Sequence, residues 1–164
     1  MREKTVVAVI LGALFVLCSA NPLRAQSASD ACSLLTASEV SAALEVKSLP
    51  GKPAVEGSPK ACVWSDSADT SVSNRRVTLS ITASTTAFDL MKSSPRITIE
   101  TVSGIGDESF YEIPKGHETP ILQVRKGGSV FTLRILNGPK SKPFTIDDVK
   151  AKEATLARAA AGRF

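Results

Sequence analysis

Much that would announce a chemistry is scarce in this chain. It has one His, one Trp, one Tyr and two Met, and aromatic residues make up only 5% of its 164 positions. Two cysteines left after an N-terminal leader and a single His cannot complete a four-ligand zinc site without carboxylates. There is no Gly-x-Ser-x-Gly elbow, no phosphate loop closing on Lys-Ser/Thr and no Cys-x-x-Cys pair. The usual signatures of acyl transfer, nucleotide binding and dithiol exchange are therefore absent. Long apolar runs are missing too, the longest being Val6 to Cys18, short of the roughly 20 residues that span a bilayer. A concentrated basic stripe is also lacking: Lys and Arg number 20 against 16 Asp and Glu and are scattered along the chain, and close pairs such as Arg75-Arg76 and Lys140-Ser-Lys142 are read as solvated strand ends and loops. Scattered cations without interleaved aromatics exclude nucleic acid as a partner.

What is present first describes export. Arg2 and Lys4 precede the apolar run, and small and polar residues follow it, which is the form of a secretory signal peptide. Cleavage after Ala25, with Leu23 as the other recognition residue, is expected over cleavage after Ala20; the leader is then residues 1–25 and a single domain occupies 26–164. Acylation of Cys18 would anchor the chain to a membrane, but Leu17 is bulky where a lipoprotein signal peptidase needs a small side chain. Losing Arg2, Lys4, Arg24 and Glu3 takes the net charge from +4 to +2. A secreted or periplasmic location follows, with no stable transmembrane span after cleavage. Cys32 and Cys62 are then the only cysteines in an oxidising compartment, and pairing them is the economical inference.

Hydrophobic residues, 43% of the chain, suffice for a packed core. Gln26 to Ala31 reads as a loose lead-in. Thr36-Ala-Ser-Glu39 has capping-box form, and Val40, Ala43 and Leu44 follow at helical spacing, predicting a helix over about 36 to 46. Pro and Gly residues from Leu49 to Pro59 predict an extended surface loop. Ala61 to Ser65 reads as a strand with Cys62 and the only Trp, Trp64, on one face. Val77, Leu79 and Ile81 alternate with polar residues as a half-buried strand, Thr85 to Ser93 suits a short helix, and Ile97 and Ile99 open another strand. Hairpin signals follow: Phe110 to Ile113, Ile121 to Lys126, the turn Gly127-Gly128, and Ser129 to Leu136 with Phe131, Leu133 and Ile135 on one face. A last helix runs from Thr145 to about Gly162, acidic at its start and carrying Arg158 and Arg163 near its end. The order describes an α+β fold: an antiparallel β-sheet built from hairpins, helices packed on it, and one disulfide.

Taken together, Asp30-Ala-Cys-Ser-Leu-Leu-Thr-Ala-Ser-Glu-Val-Ser-Ala-Ala-Leu44, Cys62-Val-Trp64, Gly104-Ile-Gly106-Asp107, Leu122-Gln-Val-Arg-Lys-Gly127 and the Ala-rich last helix resemble a family of small bacterial exported domains. Many of its members look like lipoproteins, and the family has no assigned function. The resemblance implies a curved antiparallel sheet with helices on it, akin to the PsbP-like architecture.

Candidate chemistry is thin. Gly104, Gly106 and Asp107, with Tyr111 nearby, form the first place to look for a ligand, although a tight turn in which the Asp side chain bonds the local backbone explains them as well. His117 lies in a turn-like segment without a nucleophile beside it, and Asp66, Asp69, Asp147 and Asp148 are read as loop and helix-start residues. No catalytic residue, metal ligand or cofactor is assigned. The expectation is a non-enzymatic domain that binds or scaffolds an envelope component. The alternative is a carrier whose pocket for a small apolar molecule is lined by Phe88, Met91, Phe131 and Leu133.

Overall fold

A computed structural model describes residues 30–70, 75–116, 119–138 and 141–164. The leader, Cys18 and His117 lie outside the described residues.

The capping box forms where the sequence places it. Thr36 Oγ1 accepts from the Glu39 N–H at 3.2 Å and Glu39 Oε2 accepts from the Thr36 N–H at 2.8 Å, opening α1, Ala37–Leu44. Glu45 ends it in the left-handed region at φ 57°. The strands are β1 Lys52–Pro53, β2 Ala61–Ser65, β3 Arg75–Thr82, β4 Ile97–Val102, β5 Glu108–Pro114, β6 Ile121–Lys126 and β7 Ser129–Asn137, with α2 Thr86–Lys92 between β3 and β4 and α3 Ile146–Arg163 last. All pair antiparallel in one sheet ordered β1-β2-β3-β7-β6-β5-β4, so the fold is α+β.

Two meanders make this sheet, and α2 carries the chain from the end of β3 to the far edge. The second meander returns until β7 lies beside β3, where Val77, Leu79 and Ile81 stand opposite Ile135, Leu133 and Phe131. Leu122 and Val124 of β6 continue the same apolar face. α1 and α3 cover it, contributing Val40, Leu44, Val149, Leu156, Ala157 and Ala160 to one core. On the opposite face α2 covers a smaller cluster of Phe88, Phe110 and Val130, with the Phe rings 4.7 Å apart. Gly127 and Gly128, at φ 55° and 74°, make the two-residue β6–β7 turn that their lack of a Cβ permits.

Three local expectations are corrected. Ala31 is not loose: Ala31–Ser33 forms a 3₁₀ turn capped by Asp30, and Ala31 is fully buried with its N–H donating to the Pro59 carbonyl at 2.8 Å. Lys52 and Pro53, placed in a loop by their Pro and Gly neighbours, pair with Val63 and Cys62 as an edge strand, a position where Pro's missing N–H faces outward. Arg75 is not a solvated strand end; its side chain is 12% exposed, its guanidinium donates to the Leu44 carbonyl at 2.5 Å and lies 3.9 Å from the Phe144 ring centre. Among the described residues no helix is long and apolar enough to cross a membrane.

Cys32 and Cys62 are bonded, with S–S 1.96 Å and Cα–Cα 5.0 Å. The bridge ties the 3₁₀ turn ahead of α1 to β2. Trp64, buried on the same strand face, packs at the corner: a Cβ at Gly51 would lie 2.5 Å from Trp64 Nε1 and 2.8 Å from Cys62 Sγ. Closing a loop over a separation of 30 residues lowers the entropy of the unfolded chain by an amount worth about 3–4 kcal/mol. Replacing both cysteines by Ser is expected to lower the denaturant midpoint correspondingly in non-reducing buffer; an unchanged midpoint would show that the bridge contributes nothing.

Candidate functional site

Side chains singled out in the sequence are engaged in holding the fold. Gly104 and Gly106 adopt φ 75° and 62°, and a Cβ at Gly106 would meet the Arg125 carbonyl at 2.5 Å. Asp107 follows: its N–H donates to the Arg125 carbonyl at 2.8 Å and its Oδ2 accepts from the Gly127 N–H at 2.8 Å. The turn reading holds for the glycines, but the carboxylate's partner is not local. It caps the β6–β7 hairpin 20 residues away, because the loop before β5 lies against that turn. Ile105 between the glycines is buried and fixes the loop from beneath. Tyr111, 6% exposed, sits under α3 and its hydroxyl donates to the Lys150 carbonyl. Burial raises its phenol to about 12. Loop and Tyr111 thus serve different contacts, one with the hairpin and one with the last helix.

The four residues offered as a carrier pocket do not converge. Phe88 and Met91 belong to the cluster under α2, whereas Phe131 and Leu133 belong to the core under α1 and α3, on the other side of the sheet. Asp148 closes a capping box with Thr145 at the start of α3, and those bonds hold its carboxyl below the usual range. Among the described residues no three His, Cys, Asp or Glu side chains gather as a metal site.

A different feature emerges where α1 meets α3. Val40 and Leu44 turn α1 inward, and the apolar stripe of α3 does the same, which leaves Ala42, Ala43, Ala151, Thr155 and Ala159 along the outer seam. Because these side chains are small, the seam is a groove of about 470 Å³, floored by Leu156. Ion pairs join the helices on either side of it. Arg163 grips both Glu39 oxygens at 2.9 and 2.7 Å and the Leu34 carbonyl at 2.8 Å, holding the Glu39 carboxyl down at about 2. Lys152 reaches Glu45 at 2.6 Å and stands 4.5 Å from the Phe144 ring centre. The groove therefore offers apolar contact framed by both signs of charge. Its signal in the sequence is Ala151, Thr155 and Ala159 at i, i+4 and i+8, one ridge of a helix.

Sequence reasoning also missed Glu153, fully buried one turn beyond Val149. Its Oε1 accepts from the Ile135 N–H at 2.8 Å, beyond Leu122↔Leu133, where the β6–β7 ladder starts. Oε2 has no hydrogen-bond partner. Burial pushes this carboxyl up to about 9, against the opposing effects of the Ile135 N–H and the Arg134 charge. A charged residue in the middle of a helix's apolar stripe was the available cue.

Compared with protein-family models, with curated proteins and with solved structures, the chain matches none of them.

Asp107→Ala is expected to cost about 1 kcal/mol by leaving the hairpin turn uncapped, read as a lower urea midpoint with unchanged slope. Glu153 makes stability depend on pH with a definite sign. The folded chain keeps its proton up to about 9 whereas an unfolded Glu releases it near the ordinary 4.5, so above that value the unfolded state binds fewer protons and stability falls as pH rises through the window. Glu153→Gln keeps an acceptor for Ile135 and is expected to flatten that slope, which for one group is at most about 1.4 kcal/mol per pH unit. A wild-type slope from pH 5 to 9 that Glu153→Gln leaves intact would refute the assignment.

Proposed function

We propose that this protein is an exported, non-enzymatic binding or scaffolding domain of the cell envelope. In this reading it is secreted or periplasmic, freed by cleavage after Ala25 rather than held by a lipid at Cys18, and akin to the small exported domains that its Cys-Ser-Leu-Leu-Thr start and Cys-x-Trp strand resemble. The disulfide suits a chain that matures outside the cytosol. The observation that carries a binding role is the α1–α3 groove, whose small walls let a partner approach the helix backbones closely while Arg163, Glu39, Lys152 and Glu45 set orientation at its margins. Its partner is an envelope component that presents apolar side chains flanked by charge.

A photo-crosslinking amino acid placed at Ala42, on the groove, is compared with one at Thr82, exposed on the other face of the sheet, in cells exporting the protein. A discrete adduct from position 42, lost when Ala159→Phe fills the groove, is the expected result. Identical adducts from both positions, or none from position 42, would overturn the proposal.

A further inference from the structure

The two edges of the sheet are built differently. At one edge β1 is two residues long and consists of Lys and Pro, both devices that blunt an edge against pairing. At the other, β4 presents six residues, Ile97-Thr-Ile-Glu-Thr-Val102, without Pro, Lys or a bulge, in unbroken register with β5. The direction of its free groups follows from one bond. The Lys115 N–H donates to the Arg96 carbonyl at 3.0 Å, so Arg96 and, by alternation, Thr98, Glu100 and Val102 turn their backbone groups toward β5. Ile97, Ile99 and Thr101 turn theirs outward. Pro114 fits this phase, since it stands opposite Ile97 where no N–H is required. Of the outward donors only that of Ile97 is engaged, with the Ser94 carbonyl at 3.3 Å.

We infer that β4 is a homodimer edge, pairing antiparallel with β4 of a second copy about a two-fold axis through Ile99. Two residues opposite each other across an antiparallel pair must share a face, which restricts a two-fold to registers centred on a single residue. Centring on Glu100 would set two carboxylates against each other. With Ile99 at the centre, Ile99 meets its own counterpart, Ile97 meets Thr101, and Thr98 meets Glu100. The free groups then match: each Ile99 N–H meets the other Ile99 carbonyl, and each Thr101 N–H meets an Ile97 carbonyl, four bonds in all without breaking any present in the monomer. Glu100 already pairs with Lys150 of its own copy at 2.5 Å, and Arg96, just before β4, falls diagonal to the second copy's Glu100 and shares that carboxylate, twice by symmetry. On the face that carries Ile99 lies α2, whose half-buried Met91 packs with Ile99 against the Phe88 and Phe110 cluster. A second copy therefore satisfies the hydrogen bonds and the charges of this edge at once.

Thr98 provides the test, since it is exposed and lies opposite Glu100 of the second copy. Sedimentation velocity on the exported protein, from about 1 μM to about 1 mM, is expected to show a monomer–dimer equilibrium. Thr98→Glu sets like charges opposite each other and should weaken the dimer roughly tenfold, whereas Thr98→Lys should tighten it by a similar factor. Thr101→Pro, which removes an outward N–H and leaves the bonds to β5 in place, should give monomers with an unchanged circular dichroism spectrum. A monomer throughout the range, or a dimer that neither Thr98 variant shifts, would overturn the inference.

Discussion

Eight consecutive residue pairs, from Arg75↔Asn137 to Thr82↔Val130, join two meanders that separately would leave most of their apolar side chains in water. Only when β3 and β7 lie side by side do Val77, Leu79 and Ile81 form one continuous surface with Phe131, Leu133 and Ile135, broad enough for α1 and α3 together. The register is tightly determined, because a slip of one residue would send every one of these side chains to the face where Thr78, Ser80 and Arg134 now stand. Helix α2 is the physical consequence of that choice, for it must carry the chain from β3 past the incoming β7 to an edge of the sheet, and it buries Phe88 on the way.

The helical layer is bound to the sheet by polar contacts that carry a definite cost. Glu153 gives up its charge to supply an acceptor to the Ile135 N–H, since an unpaired backbone donor buried there would be worse than a neutral carboxylic acid. Cations do the rest at the margins, Lys126 of β6 donating to the Ala161 carbonyl and Arg75 of β3 to the Leu44 carbonyl, while Arg163 ties α3 to the Leu34 carbonyl within the layer itself. Each of these closes an orphan carbonyl at or near the end of a helix or turn. The disulfide acts at the same layer's beginning, so the segment before α1 is held by a covalent bond and α3, at the other end of the chain, by charge-assisted ones.

Alternation and capping made the elements readable. Thr36 with Glu39, the period-two runs in β3 and β7, and Gly127-Gly128 each determine a local conformation by interactions within a few residues, and each formed as expected. What stayed hidden depended on partners distant in sequence. Asp107 could be read as a turn residue, yet its bond is to Gly127, and nothing in Gly104-Ile-Gly-Asp says which loop will lie alongside. Phe88 and Phe131 looked interchangeable as apolar residues, and only the topology assigns them to opposite faces. Arg75 read as a solvated strand end and Arg163 as a helix-end charge for the same reason, since a carbonyl across the fold is invisible in a linear pattern.

The same distinction explains why the candidate sites moved from loops to surfaces. A motif search rewards residues able to do chemistry, and here Asp107, Tyr111 and Asp148 satisfy backbone groups, so their polarity is used within the fold. Features left facing outward are ones that a motif search discounts: alanines along the α1–α3 seam, and unpaired amides along β4. The two differ in what they can recognise. Small side chains over a helix backbone select by shape and by the charges at their margins, whereas a strand edge selects by hydrogen-bond phase and admits any chain of matching register. The groove lies in the α1–α3 layer, on the face of the sheet away from α2, and the β4 edge carries Ile99, at the centre of the proposed pairing, on the α2 face. Occupying one leaves the other open, and a dimer through β4 would therefore present two grooves related by its axis, raising the effective concentration for any partner that offers two matching segments.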